Sequence, residues 1–407
     1  MKKYVIVGGG VASVGCIEGI RSVDKEGEIT LVARENVLPY CRPLISYYLE
    51  GKTDFEKMNY RPKDFYQANG CRVLFGQAKE LNAKGKTLCV GDEVLPYDEL
   101  CVATGSVPFV PPFAGLDTVP VKTSFMTEED AAFLEEKLTK ESRVLIVGAG
   151  LIGLKCAEGI VERVASVVVC DLADRVLSSI LDGECAGRMQ KKLEENGVEF
   201  YLKNSVQKFA GNVATLQDGT EIEFDVLVTA VGVRAETSLV KDVVRTERGI
   251  IADVRQATSD PSIYAAGDCC QGYDMSIGQN RVIAIFPNAY LQGFVAGVNM
   301  AGGNAEFDKG IPLNAIGFFG LHALTAGSYD GEMIEEKDEN HIKRLFVKDD
   351  RLVGFMLIGS FERAGILTSL VREKTPLSEV DWQILKNTPV LAAFSGEKRK
   401  TILGGVV

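Results

Sequence analysis

The chain has 407 residues, 46% hydrophobic and 25% charged, with 45 Lys and Arg against 56 Asp and Glu. This composition excludes a disordered chain and a coiled coil, and at roughly 100–200 residues per domain the length predicts two or three domains. A net charge of −11 argues against a chain that binds nucleic acid as a whole. No apolar run reaches the ~18 residues that a membrane span needs, so the protein is expected to be soluble and cytoplasmic, with no membrane and no nucleic acid among its partners. No metal site is expected. Only His322 and His341 are present, and none of the ten cysteines forms a C-x-x-C pair. Cys101 and Cys170 in apolar strands, and Cys16 and Cys156 on helices, read as reduced core thiols.

In chain order, Lys2 and Lys3 precede an apolar run as in a signal peptide. That run lasts only from Tyr4 to Val7 before glycines break it, so it reads as a buried strand. Residues 4–15 read YVIVGGGVASVG: a strand, a G-x-G turn at Gly8 and Gly10, and a helix over Val11–Val23. The first glycine makes the turn and the second lets backbone approach a pyrophosphate. The helix start, at Val11 and Ala12, turns its N–H groups toward the anion. Ser13 stands where a third glycine usually serves helix–strand packing. A strand over Glu28–Ala33 follows, and Glu35 is the candidate acid beyond it.

The strand end Tyr97–Gly105 leads into a proline-rich stretch, Val107–Gly115, that suggests an interdomain crossing. Residues 144–155, VLIVGAGLIGLK, then repeat the opening unit. Here all three glycines are present, Gly148, Gly150 and Gly153, and Leu151 and Ile152 open a helix expected over Ile152–Arg163. The next strand, Ser166–Asp171, ends in an acid 23 positions after Gly148. An acid at about that spacing accepts hydrogen bonds from an adenine ribose and repels a 2′-phosphate, which favours NADH. Arg175, nearby, leaves NADPH open. Phe224–Gly232 (FDVLVTAVG) matches Tyr97–Gly105 (YDELCVATG), so Gly232 repeats Gly105. Two βαβ units with parallel strands are predicted. Beyond about residue 315 the pattern alternates, as in an antiparallel sheet, with strands over Ile342–Val347 and Leu352–Gly359 and a helix over Ala364–Glu373. Residues 341–407 carry eleven Lys and Arg against seven Asp and Glu. That excess reads as a docking surface for an acidic partner or as a solvated face.

Ala103-Thr104-Gly105 and the segment 258–268, TSDPSIYAAGD, which ends in Gly267-Asp268, resemble the FAD-dependent pyridine nucleotide oxidoreductases of the glutathione-reductase structural class. The resemblance spans essentially the whole chain. Three further segments are similar to NADH:rubredoxin reductases, the flavoprotein portion of NAD(P)H nitrite reductases, and flavoproteins associated with carbon monoxide dehydrogenase. They are 38–49 (LPYCRPLISYYL, with Arg42 and Pro43), 281–300 (RVIAIFPNAYLQGFVAGVNM, with Phe286 and Pro287) and 314–327 (NAIGFFGLHALTAG).

The resemblance implies an α/β fold: two Rossmann-like domains, for FAD and NAD, and a C-terminal α/β interface domain. The FAD domain would comprise 1–109 and 246–315, the NAD domain 110–245, and the interface domain, covering the flavin, 316–407. It implies that Asp268 bonds a ribityl hydroxyl, that Phe286-Pro287 meets the flavin pyrimidine, and that a helix from Asn288 points its positive end at the reduced flavin. The implied activity passes a hydride from NADH to flavin N5, then single electrons to or from an iron–sulfur protein: rubredoxin, ferredoxin or an enzyme-bound cluster protein. Two alternatives stay open: an NADH oxidase or small-disulfide or sulfur reductase, and a flavoprotein subunit wired into a larger complex. A homodimer is compatible with the resemblance.

Departures from the family pattern matter too. The C-x-x-x-x-C pair of disulfide reductases is missing, and Pro43 occupies the position of the single redox cysteine of peroxidase-like relatives, with Cys41 two residues away. Relatives often pair a lysine at the position of Tyr47 with a glutamate at that of Lys155. Lys155 and Tyr47 are therefore the candidate catalytic pair. A cation at 155 would favour anionic reduced flavin if it reached the ring; the alternative is that it turns to an acid on the helix surface. Val107 replaces an arginine expected to contact FAD phosphate.

Overall fold

The computed structural model describes residues 1–404. The α/β class is as expected. Contacts divide the chain into two compact units, one of residues 1–273 and 280–308, the other of 274–279 and 309 onward. Both nucleotide-type sheets lie in the first unit.

The first sheet holds five parallel strands in the order Ile263–Ala265, Glu99–Val102, Lys3–Val7, Glu28–Ala33, Cys71–Phe75. Val7 stands opposite both Val32 and Val102, so three strand ends open at one level. The second sheet repeats the plan in the order Val198–Leu202, Ser166–Asp171, Arg143–Val147, Val226–Thr229, Lys122–Thr123. Its central strand is buried throughout from Val144 to Val147. Such β-branched runs, with no polar alternation, belong to strands covered on both faces. In each sheet the central strand runs directly into its glycine turn, which places both turns at the carboxyl ends of the strands, where open α/β sheets bind ligands.

The chain crosses between the sheets on paired strands, Ser106–Pro108 outward and Val233–Ala235 on the return, joined antiparallel. Thr127 starts the helix Glu128–Lys137 with a reciprocal cap: its hydroxyl accepts the Asp130 N–H, and the Asp130 carboxylate accepts the Thr127 N–H.

Two helices of the first unit, Val11–Val23 and Phe286–Met300, approach so closely that glycines mesh along the contact. A Cβ on Gly15 would lie 2.2 Å from the Tyr290 carbonyl oxygen, on Gly19 2.2 Å from that of Phe294, on Gly293 1.9 Å from that of Ala12, and on Gly297 2.1 Å from that of Cys16. The spacing of four on both helices lets backbone meet backbone. Glu18 fastens the outer edge. It takes a bidentate ion pair from Arg61 and a hydrogen bond from the Tyr290 hydroxyl at 2.6 Å, and these donors hold its carboxyl below the usual range against the opposing effect of burial, the largest single influence on it.

Some boundaries differ from expectation. The helix expected over Ile152–Arg163 is Leu151–Ile160 with a 3₁₀ turn over Val161–Arg163. The helix expected from Asn288 begins at Phe286 and takes Pro287 into its first turn, where the missing N–H costs nothing.

The second unit is an antiparallel sheet in the order Leu313–Phe318, Leu321–Gly327, Arg351–Ile358, Ile342–Lys348, Glu332–Lys337. The helix Ala364–Arg372 packs on it. Among the described residues, no helix is long and apolar enough to cross a membrane, and no group of three or more His, Cys, Asp or Glu could hold a metal ion.

Candidate dinucleotide sites

A cavity of about 340 Å³ opens over the end of the first sheet. Its floor is the first glycine turn, with Gly8, Gly10, Val11 and Ala12. Gly8 has φ +125°, and a Cβ there would lie 2.0 Å from the Ala103 carbonyl oxygen. No side chain fits, so the turn presses flat on the neighbouring strand end and leaves room above it. Gly10 caps the first helix, whose positive end therefore opens on the cavity. Ser13 does not line the space. It is buried, and its hydroxyl donates to the Gly10 carbonyl at 2.6 Å, bracing the turn that a third glycine would merely have tolerated.

Ala103, Thr104 and Gly105 form one wall, and Gly267 and Asp268 another. The Thr104 hydroxyl donates to the Glu236 carbonyl at 2.5 Å, tying this wall to the returning strand. Burial raises the Asp268 carboxyl, opposed by the Ser106 hydroxyl, which donates at 3.3 Å, and by the charge of Arg42. A half-buried acid with one long side-chain donor among the described residues suits a ligand hydroxyl. Pro43 and Phe286 line the cavity, whereas Pro287 does not.

Glu35 and Arg42 both reach the cavity but also bind each other, Arg42 Nη2 donating to Glu35 Oε1 at 2.8 Å. The sequence reading missed Tyr40. Its hydroxyl donates to Glu35 Oε2 at 3.0 Å and accepts the Glu128 N–H at 3.0 Å, while Arg42 Nη1 donates to the Met126 carbonyl at 3.2 Å. Burial, foremost, pushes the Tyr40 phenol up to about 12, so it stays a donor. These residues join the first sheet's acid to the helix after the crossing. The only sequence signal was an aromatic between two prolines, Pro39 and Pro43.

The second glycine turn copies the first. Gly148 has φ +119°, and a Cβ there would lie 2.3 Å from the Ala230 carbonyl oxygen. Ala230 and Gly232 thus repeat Ala103 and Gly105, and Gly232 has φ +113°. Gly150 caps the helix that Leu151 and Ile152 open, and a Cβ on Gly153 would lie 2.1 Å from the Gly148 carbonyl oxygen. Asp171 stands beside this turn. Its carboxylate accepts the Ala149 N–H at 2.6 Å and the Ala173 N–H at 2.7 Å. Arg175 is engaged elsewhere, with Asp174 at 2.7 Å and the Leu181 carbonyl at 3.2 Å.

Lys155 and Tyr47 meet where the short helix Ile45–Leu49 packs on Leu151–Ile160. Lys155 Nζ bonds Glu158 at 2.5 Å and lies 5.6 Å from the centre of the Tyr47 ring. Lys52 lies 5.9 Å from the same ring and pairs with Glu50. The ion pair puts an acid of its own helix within reach of Lys155. Cys41 is half-buried between Tyr40 and Arg42, and burial raises its thiol.

Two βαβ sheets, each with a glycine turn pressed on a strand end and an acid placed after it, define a protein with two dinucleotide-type folds. Residues 2–293 match the pyridine nucleotide-disulphide oxidoreductase family model, and the chain belongs to that family. It is an FAD- and NAD-binding oxidoreductase. Across 404 residues it is 31% identical to the NADH-dependent phenylglyoxylate dehydrogenase subunit epsilon of Aromatoleum evansii, covering 95% of each chain. It is 29% identical over 394 residues to nitrite reductase [NAD(P)H] of Bacillus subtilis (strain 168), covering 93% of this chain but 48% of that one, so it spans about half of that relative. The covalent putidaredoxin reductase–putidaredoxin complex contains a similar fold, with a TM-score of 0.87, 24% identity, and coverage of 99% of this chain and 98% of that one.

Proposed function

We propose that FAD occupies the cavity over the first glycine turn, that NADH binds at the second, and that the chain moves electrons between NADH and an iron–sulfur protein. The observation that carries this reading is the pair of matching close approaches, Gly8 on Ala103 and Gly148 on Ala230, within one compact unit. Bound FAD would supply the exchange of two-electron for one-electron chemistry, which the side chains themselves cannot. The chain's residues bind and orient. Asp268 and Ser106 meet ligand hydroxyls, the first helix faces the pyrophosphate, and Asp171 accepts from the NADH ribose. Lys155 and Tyr47 hold the junction between the two halves, with the lysine's charge already offset by Glu158. The positive excess over residues 341–407 suits an acidic carrier.

Cys41 favours this reading over a thiol-based oxidase or disulfide reductase. A catalytic thiol needs its pKa lowered, and burial moves this one upward. Anaerobic mixing with NADH should bleach the flavin's visible absorbance quickly, and with NADPH slowly. A small iron–sulfur protein should then reoxidise the flavin faster than oxygen or a disulfide does, with Cys41→Ser unchanged in both steps. Loss of reoxidation in Cys41→Ser would instead establish the thiol reading.

A second reading has its own support. The relative matched over 95% of both chains is named as a subunit. A flavoprotein subunit would co-purify with a cluster-bearing partner and turn over weakly alone, and the same mixing experiment on the isolated chain separates the two.

A further inference from the structure

We infer that Gln292 is a positioning residue for the flavin site: it holds the turn at Gly267 that brings Asp268 to the cavity. The inference rests on the reading of that cavity as the FAD site.

The strand Ile263–Ala265 ends just before this turn. The Ala266 N–H still donates to the Val102 carbonyl across the sheet, at 3.0 Å. At Gly267 the backbone swings to φ +82°, and its N–H leaves the sheet. A buried backbone donor must find an acceptor. Gln292 supplies it from the helix Phe286–Met300, its Oε1 accepting the Gly267 N–H at 2.8 Å. The amide is 1% exposed and does not line the cavity. Its effect on a ligand must therefore pass through Gly267 to Asp268.

The surroundings leave the turn little choice of position. A Cβ on Gly267 would lie 3.1 Å from the Ala12 Cβ and 3.6 Å from the Ala289 Cβ, so the turn is wedged between the two glycine-meshed helices. On its other side, a Cβ on Gly272 would lie 2.4 Å from Gln292 Nε2. Gly272 thus provides the room that the carboxamide needs. Among the described residues, the buried Gln292 Nε2 has no hydrogen-bond partner, whereas its Oε1 holds the Gly267 N–H.

The test uses the full chain stripped of flavin and titrated with FAD, followed by flavin fluorescence and by the visible circular dichroism of the bound ring. Melting of the apoprotein is followed in parallel. Gln292→Leu keeps the volume and removes the acceptor; Gln292→Glu keeps an acceptor in the same place. Gly272→Ala crowds the amide without changing it. FAD affinity is expected to fall by about tenfold or more in Gln292→Leu, the scale of one buried unpaired donor. It should also fall in Gly272→Ala, with the same dichroism change, and recover at least in part in Gln292→Glu. If Leu binds FAD as tightly as the parent, or if the losses only follow lost apoprotein stability with no dichroism change, the assignment is overturned. If the parent itself takes up no FAD, it is the reading of the cavity that fails.

Discussion

Gly8→Ala should purify without flavin and should not be rescued by added FAD. Three observations set the size of this effect. The φ of +125° is one that an L side chain rarely adopts, at a cost of about 1–3 kcal/mol. The new Cβ would lie 2.0 Å from the Ala103 carbonyl oxygen and 2.6 Å from its carbonyl carbon, so backbone must move. That backbone is the wall of the same cavity. Relief of the clash pushes Ala103 and Thr104 away from the turn and separates the surfaces that must grip one ligand. Gly10→Ala is the informative companion. Nothing lies within 4 Å of a Cβ there and its φ is −89°, so the apoprotein should melt as the parent does. Any loss of FAD affinity in Gly10→Ala is then a clash with the ligand itself. Flavin content after purification and apoprotein melting together decide the matter; a Gly8→Ala protein that holds FAD normally would move the site away from this turn.

Asp171→Ala should weaken NADH binding by roughly thirty- to hundredfold while leaving FAD content unchanged, corresponding to about 2–3 kcal/mol for lost hydrogen bonds to a charged acceptor. The carboxylate is already oriented by the Ala149 and Ala173 N–H groups, so on the proposed reading it would meet a ribose diol without reorganising. Its removal also frees the Ala149 N–H inside the glycine turn. NADPH should lose much less, because the acid that repels its 2′-phosphate has gone, and the preference for NADH should narrow. Arg175→Ala should alter this preference little, since the guanidinium is committed to Asp174 and Leu181. Rates of flavin reduction against nucleotide concentration measure both. Equal losses with the two nucleotides would mean that Asp171 supports the turn without reading the ribose.

The candidate sites were legible in unequal measure. Asp171 could be found by counting from Gly148, because strand, turn and helix are contiguous and the acid lies one helix and one strand further on. Glu35 could be found in the same way, but its partners could not. Tyr40 lies five residues from Glu35 yet also caps a helix that begins at Glu128, and nothing in the intervening sequence signals that meeting. For Lys155 the sequence left two orientations open. The fold puts Glu158, one helical turn away, and the Tyr47 ring, presented by another helix, beside it.

The sequence by itself determined what is local: the β-branched strands, the glycine turns where no side chain fits, the acids spaced after them, and the repetition of one unit within the chain. These follow from backbone sterics and periodicity over a few dozen residues. The tertiary structure alone decided what depends on distant segments meeting. Gly15 and Gly19 are unremarkable on one helix until Gly293 and Gly297 come to rest against them. Gln292 is an ordinary polar residue until its amide reaches the Gly267 N–H, 25 positions away in sequence. A hydrogen bond or a close helix crossing is a property of two surfaces, and the second surface is placed by the folding of the whole unit.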